Sequence, residues 1–499
     1  MTVLKNKAFL ISSILCAATF LALLAVRLDL FNTVLHTRGL PTGVAPAAVA
    51  ERDSWLNIFQ ESGKIGYAHR RLSRTADGFA IEESVFMRIN TMGMVQNIHV
   101  ETRGQLWTDF SMQAVQFQIR SGRFSFSARG KMENGVLDIT TESAGSQRSY
   151  KIRLPDTPYL AAGLLDALHA SDLKPGDFFT FNIFDPVSMG PQPVKVSVIG
   201  TEDVQVMGTV HSATKIMLNF KGANQFAWLD DKGDVLQEKG LLGMRLEKTS
   251  RRQALADIGT GPRGDLTDIS SVASNVVFEQ PDSLKQLTIT VNGIDLDQVH
   301  LDGGRQLLLD NQVTIVKEDL HQLAPSLEAK RLKLLEQIFL QPSPFIQSDH
   351  KKIRDLVDKI LENGTVKPLH RAQQLLGWVY NNIDKRPVLS LPDALSTLEN
   401  REGDCNEHAV LLAAMARAAG IPARVETGLV YLNGRFYYHA WNLLYLGKWV
   451  TADAVYNQLP ADVTHIRFTS GSRQQSDLMG ALGRVQIEVV DWQPIGRGG

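Results

Sequence analysis

The chain has 499 residues, 44% of them hydrophobic, and 52 Lys and Arg stand against 53 Asp and Glu for a net charge of −1. That length predicts about two to four domains, and that apolar content suffices for packed cores and excludes a wholly disordered chain. A charge near zero with no block of one sign excludes the electrostatic footprint of a nucleic-acid binder, so no nucleic acid is expected as partner.

Lys5 and Lys7 precede an unbroken apolar run from Ala8 to Val26, closed by Arg27. At about 1.5 Å per residue this run can cross a hydrocarbon layer of about 30 Å. It lacks the small-x-small site of a cleavable signal peptide, so residues 1–27 read as an uncleaved signal anchor, a transmembrane helix. The cationic flank is N-terminal, which predicts a single-pass inner-membrane protein with its body in the periplasm. Residues 28–53, with Pro41, Gly43 and Pro46, read as a linker.

From Ser54 the pattern alternates apolar with polar residues. "KIGYAHRRLSR", "FAIEESVFMRI", "AVQFQIR", "FSFSARG" and "VLDITTES" follow one another between Gly, Asn and Asp. Such alternation predicts an antiparallel sheet with one covered face over residues 54–255. One helix is expected within it, at Pro158 to Ala170, and a hairpin turn at Asp231 to Gly233. The "LKPGD" turn at Leu173 to Asp177 and the "WLDDKGDVL" hairpin from Trp228 resemble β-rich exported bacterial domains of the lipoprotein-carrier, half-barrel type. The resemblance implies a curved sheet able to cover a lipid, a glycan or a partner. Residues 256–325 read as a loop followed by two joining strands, "LKQLTITVNGIDL" and "NQVTIVKE".

Residues 326–499 change to helical periodicity. Ile353, Leu356, Val357 and Ile360 share one face of a helix capped by Ser348 and ended by Gly364. A second helix follows at Leu369 to Ile383, and a third at Leu391 to Asn400 with Pro392 in its first turn. The fourth begins at "DCNEHAVLLAAMARAAGIP". Asp404 suits the N-cap and Glu407 completes a capping box, which leaves Cys405 at the first helical position. The chain has two cysteines, and the other, Cys16, lies in the apolar run, so Cys405 has no disulfide partner in the exported body. A thiol at a helix N-terminus is expected to have a lowered pKa. Downstream, "YYHAWNLLYLGKWVTADAVYNQ" reads as two strands joined at Leu446-Gly447-Lys448. Paired across that loop, His439 opposes Val455, and Asp453 is its diagonal neighbour on the same face. A one-residue slip would separate them.

The motifs around Cys405, His439 and Asp453, in that order, resemble the transglutaminase-like superfamily, a branch of the papain-type cysteine enzymes, from about Asp349 to Phe468. The resemblance implies Cys405 as nucleophile, His439 as general base and acid, and Asp453 as the residue that holds the imidazole. Ala454 departs from the family's usual Asp-Pro. A metal set of Cys405, His408 and His439 lacks a firm third ligand, and no acidic loop has calcium spacing, so neither metal nor cofactor is expected. His408 is expected on the helix surface, and Trp441 and Trp449 in the hairpin core. The fold expected is α+β and multidomain: an N-terminal transmembrane helix, a large antiparallel sheet domain and a C-terminal papain-type catalytic domain. The activity the resemblance implies is peptidase or amidase through a thioester acyl-enzyme, with transamidation open as the alternative fate, and a periplasmic peptide or protein as substrate. The alternative is a non-catalytic binding or scaffold protein that works through its sheet.

Overall fold

The computed structural model describes residues 49–495 except 172, 187, 259–263, 324–337, 362–366, 471–477, 479 and 482. The expected anchor and most of the linker lie outside these residues. Among the described residues no helix is long and apolar enough to cross a membrane.

In the N-terminal half the period-2 pattern becomes strands. They are β1 (Arg52–Gln60), β2 (Gly63–Arg74), β3 (Phe79–Thr91), β4 (Met94–Leu106), β5 (Met112–Ser121), β6 (Phe124–Glu133), β7 (Val136–Ser143) and β8 (Ser146–Arg153). After helix α1 (Leu164–His169) come β9 (Phe178–Asp185), β10 (Gly190–Val206), β11 (Thr209–Phe220), β12 (Ala223–Leu229), β13 (Val235–Lys239) and β14 (Met244–Thr249). In β6 every second residue from Phe124 to Met132 is buried, as one covered face requires.

These strands make one 14-stranded sheet, β8-β7-β6-β5-β4-β3-β2-β1-β14-β13-β12-β11-β10-β9. The chain starts in mid-sheet and meanders out to β8. It then crosses to β9 at the other edge and returns until β14 pairs with β1. The crossing segment is less helical than its sequence predicts, because Tyr159 is extended and bridges both Ser111 and Ile183. Leu160, Ala162 and Ala167 pack on Phe79, Ile81 and Leu106, while Leu164 and Leu168 pack on Phe179, Phe181 and Val196. The sheet therefore curls around its own crossover. Strand β4 is absent from the sequence reading, since Gln96, Asn97, Glu101, Arg103 and Gln105 blur its alternation. It nevertheless pairs with β3 along its whole length.

Two short helices, α2 (Arg251–Leu255) and α3 (Leu266–Ser270), lead to β15 (Val272–Ala273), β16 (Leu284–Asn292), β17 (Gln306–Leu309) and β18 (Gln312–Val316). Then come α4 (Lys351–Ile360), α5 (Pro368–Asn382), β19 (Asp384–Lys385), α6 (Ala394–Asn400), β20 (Glu402–Gly403) and α7 (Cys405–Ala418). The chain closes with β21 (Ala423–Leu432), β22 (Arg435–Tyr445), β23 (Trp449–Ala452), β24 (Ile466–Ser470) and β25 (Gln486–Pro494).

The caps differ in detail from expectation. His350, not Ser348, caps α4, its ring accepting from the Lys352 N–H at 3.3 Å. The expected end at Gly364 lies outside the described residues. Asp393 caps α6 and accepts from Ser396 N–H at 2.7 Å, so Pro392 precedes that helix. The helices bury Ile353, Val357, Leu375, Leu376, Val379, Leu411 and Met415 in one core.

The segment read as a joiner is built into this half. Strand β25, from the end of the chain, pairs with β16 in the sheet β17-β18-β16-β25, and β15 adds to the edge of β22. Leu287, Ile289, Val313 and Ile315 share a core with Leu429, Phe436, Ile466 and Phe468. The two halves meet where Phe345 enters the sheet's core, its ring 5.4 Å from that of Phe126. Gln96 also bonds both Pro387 O, at 2.6 Å, and Leu389 N, at 3.1 Å.

Candidate active site

Helix α7 starts as its sequence predicts. The Asp404 carboxylate accepts from Asn406 N–H at 2.8 Å, and Glu407 reaches back to Asp404 N–H at 3.0 Å, closing the capping box. Cys405 is the first helical residue and is half-buried. Asn442 on β22 donates to Ala409 O at 2.8 Å and ties the first turns of α7 to that strand. The backbone N–H of Ala440, next to His439, reaches the thiol and favours its ionised form.

The hairpin register is the expected one. Asn442 pairs with Ala452 and Tyr445 with Trp449, the register that sets position 455 against His439 if the strand were continued. Strand β23 stops at Ala452 because the chain turns: Asp453 and Gln458 exchange backbone hydrogen bonds of 2.9 and 3.0 Å. Inside that turn Asp453 Oδ1 accepts from Val455 N–H at 2.6 Å and Tyr456 N–H at 3.2 Å, while Oδ2 faces His439 Nε2 at 2.6 Å. An ionised carboxylate only accepts, so His439 carries its proton on Nε2 and keeps Nδ1 as the basic nitrogen. His439 is 5% exposed and Asp453 0%. Ala454, where the family pattern has Pro, is packed in the helical core.

A second imidazole shares this carboxylate. His465, at the mouth of β24, is fully buried and places Nε2 2.9 Å from the same Asp453 Oδ2. Its Nδ1 faces Asp462, at 3.2 Å from the carbonyl and 3.3 Å from Oδ1. No sequence motif marks His465. The one available signal, a histidine directly before an apolar strand of the sheet that carries His439, is weak. Gly428 permits the approach. It pairs with His439 across β21 and β22, and a Cβ there would lie 1.9 Å from Ile466 O.

The electrostatics follow from burial and these partners. Burial alone would raise the Asp453 carboxyl, but His439 and then His465 outweigh it and hold it well below the usual range. Burial alone would lower His465, but Asp462 and Asp453 raise it to about 9. The thiol runs against expectation: packing around Cys405, with the carboxylates of Asp404, Glu407 and Asp453, pushes it well up. The positive helix end is present, but the Asp404 carboxylate caps the same turn and offsets it. Glu407 is likewise pushed up, by burial and then by Asp404.

Trp441 is buried and stacks near His439 at 6.2 Å, and Tyr456 lies 5.4 Å from the same ring. Trp449 is half-buried, with the Arg424 guanidinium 4.9 Å above its ring. His408 is not a surface residue as expected: it is 1% exposed, with Nδ1 2.7 Å from Asp404 O. Among the described residues the ligand atoms of His439, Asp453 and His465 lie within 4.8 Å of one another. In this structure both imidazoles direct Nε2 at one carboxylate oxygen, which makes the set a hydrogen-bonded relay.

The sequence model of the Transglutaminase-like superfamily matches residues 354–454. No curated protein matches the chain. Among solved structures, a candidate cysteine protease from Cytophaga hutchinsonii is 19% identical, covering 42% of this chain and 86% of its own, with a TM-score of 0.27. A beta-barrel-like protein of unknown function from Brucella abortus is 13% identical, covering 40% and 97%, with a TM-score of 0.32. A candidate protease from Parabacteroides distasonis is 11% identical, covering 68% of each chain, with a TM-score of 0.19. Residues 354–454, which carry Cys405, His439 and Asp453, are thus a transglutaminase-like domain, the type of domain found in a family of cysteine enzymes.

Proposed function

We propose that the protein is an exported, membrane-anchored cysteine enzyme that cleaves a peptide or carboxamide bond through a thioester. The reading rests on one observation: a buried imidazole pinned at Nε2 by a carboxylate, on the strand that packs against a half-buried cysteine at a helix start. Cys405 is the nucleophile, His439 the base and Asp453 the orienting residue. The inner-membrane, periplasmic setting rests on the apolar run from Ala8 to Val26 and its N-terminal lysines.

In this mechanism the thiol proton moves to His439 Nδ1 as Sγ attacks the carbonyl carbon. The resting thiol is pushed toward its neutral form, so base and nucleophile act together. The oxyanion faces the free N–H of Cys405 at the start of α7. The C–N bond breaks and the leaving amine takes the proton from His439, leaving a thioester. Water then attacks the thioester and gives its proton to His439, and a carboxylic acid and the thiol are released. An amine in place of water would give transamidation.

The sheet contributes a binding face alongside this chemistry. A cavity of about 390 Å³ lies between β4–β7 and α6, lined by Arg103, Arg129, Glu142, Glu399 and Asn400. The test is to incubate the purified body with unfolded casein and dansylcadaverine. New N-termini report hydrolysis and dansyl incorporation reports transamidation, and Cys405→Ala should abolish either. Equal products from wild type and Cys405→Ala would favour the binding-protein alternative.

A further inference from the structure

The Asp453 carboxylate accepts four hydrogen bonds, and the triad accounts for only one of its partners outside the local turn. The other is His465, which lies eleven residues beyond the end of the family match. We propose that His465 is a positioning and charge-balancing residue of the Cys405 site, sharing Asp453 Oδ2 with His439 and so limiting how strongly that carboxylate draws a proton onto His439. The proposal rests on the cysteine-enzyme reading above.

Hydrogen-bond capacity sets the charge of His465. Both ring nitrogens of His465 face oxygens: Nε2 faces Asp453 Oδ2, and Nδ1 faces the carbonyl and Oδ1 of Asp462. Asp453 cannot supply a proton, because Oδ1 receives two backbone N–H groups and Oδ2 receives His439. Asp462 is equally committed. Its Oδ1 accepts from Thr464 N–H and Oγ1, and its Oδ2 accepts from Gln458 Nε2. With acceptors on both sides, both nitrogens of His465 must donate, and the ring is a cation. The rings packed around it are His439, Trp441 and Tyr456, at 5.7, 5.2 and 6.1 Å, and a fixed cation nearby, Arg305, meets the His465 carbonyl and is paired with Glu318.

The loop that carries this cation is itself clamped. Arg305, between β16 and β17, donates to Ala461 O at 2.6 Å, Asp462 O at 2.9 Å and His465 O at 3.1 Å. It also pairs with Glu318 at 3.1 Å. The segment before the matched domain therefore holds the loop at the register His465 needs. The consequence is chemical. A bare carboxylate beside His439 would favour the imidazolium strongly, and an imidazolium that forms too readily returns its proton poorly to the leaving amine. A second cation on the same oxygen moderates that pull and also fixes the oxygen's direction.

The test is histidine NMR on the full soluble body labelled at the imidazole, in a Cys405→Ser background that removes the thiol's own titration. Removing the cation with His465→Gln, which retains a donor toward Asp453, should raise the titration midpoint of His439 by roughly one pH unit. Asp462→Asn, which takes away the counter-ion of His465, should move it in the same direction by less. A purely structural role predicts the opposite sign, because a misplaced Asp453 supports the imidazolium less. An unchanged or lowered midpoint would overturn the proposal. The wild-type chain gives a reading independent of any variant: ¹⁵N shifts of a doubly protonated His465 ring from pH 6 to 8 support it, and a single neutral tautomer overturns it. Failure here leaves the cysteine-enzyme reading standing, since that depends on Cys405 alkylation and product formation.

Discussion

At the scale of residues, the site is a buried line of four side chains, His439, Asp453, His465 and Asp462, joined through Asp453 and His465. Asp453 and Asp462 are held well below the usual carboxylate range against burial, and His465 is raised to about 9 against burial. The sign of each contribution to stability follows. A carboxyl with a lowered folded pKa stabilises the fold above its unfolded value of about 4 and loses that contribution as pH falls below it. A histidine with a raised folded pKa stabilises fully below its unfolded value of about 6.5 and loses the contribution as pH rises toward its folded value. The network is therefore at full strength between about pH 4 and pH 6.5. The melting temperature of the C-terminal half should fall as pH rises from about 6.5 to 9, and His465→Gln should remove most of that fall. A melting temperature flat over that interval in the wild type would contradict the charge state of His465.

At the scale of elements, local signals in the sequence are sufficient for some features and silent on others. The capping box of α7 and the β22–β23 register are both legible, because each depends on residues close in sequence whose geometry is set by helix and hairpin rules. His465 and Gly428 are not legible, because their roles arise only when β24 is laid beside β21. The direction of the thiol's pKa is misjudged for a related reason. Helix position can be read from the pattern, but the depth of packing around Cys405 and the reach of the Asp453 carboxylate cannot. The cap itself offers a test. Asp404→Ala removes the acceptor for Asn406 N–H and should cost about 1 kcal/mol in urea unfolding. Glu407→Gln should cost under about 0.5 kcal/mol, since the buried acid is already driven toward its neutral form and Gln can serve the same box. A larger loss for Glu407→Gln than for Asp404→Ala would show that Glu407 works as an anion.

At the scale of the whole molecule, the curled sheet and the C-terminal half share packing. Phe345 belongs to the sheet's core although it precedes α4, and its carbonyl accepts from Ala394 N–H at 3.0 Å, at the start of α6. Arg148 on β8 pairs with Asp349 at 2.9 Å. Phe345→Ala should therefore lower stability by about 3 kcal/mol through the cavity it leaves, read as a shifted urea midpoint with an unchanged slope. A change within error would mean that the halves merely touch. The long-range closure of β25 on β16 is likewise invisible in the sequence, where the partners are separated by the whole helical region. It explains why β16 to β18 belong with the C-terminal half.

The central claim is that Cys405 and His439 form a working nucleophile and base. Its most direct measurement is the rate of iodoacetamide alkylation of Cys405 against pH, in the wild type and in His439→Ala. With the imidazole present, the thiol should react rapidly near pH 7 even though its surroundings favour the neutral form. With His439 replaced by Ala, the midpoint should move above about 8.5, the value of an ordinary cysteine, because burial and the nearby acidic groups then outweigh the Ala440 N–H with no imidazole to take the proton. Identical profiles for the two proteins, both following an ordinary thiol, would contradict the claim.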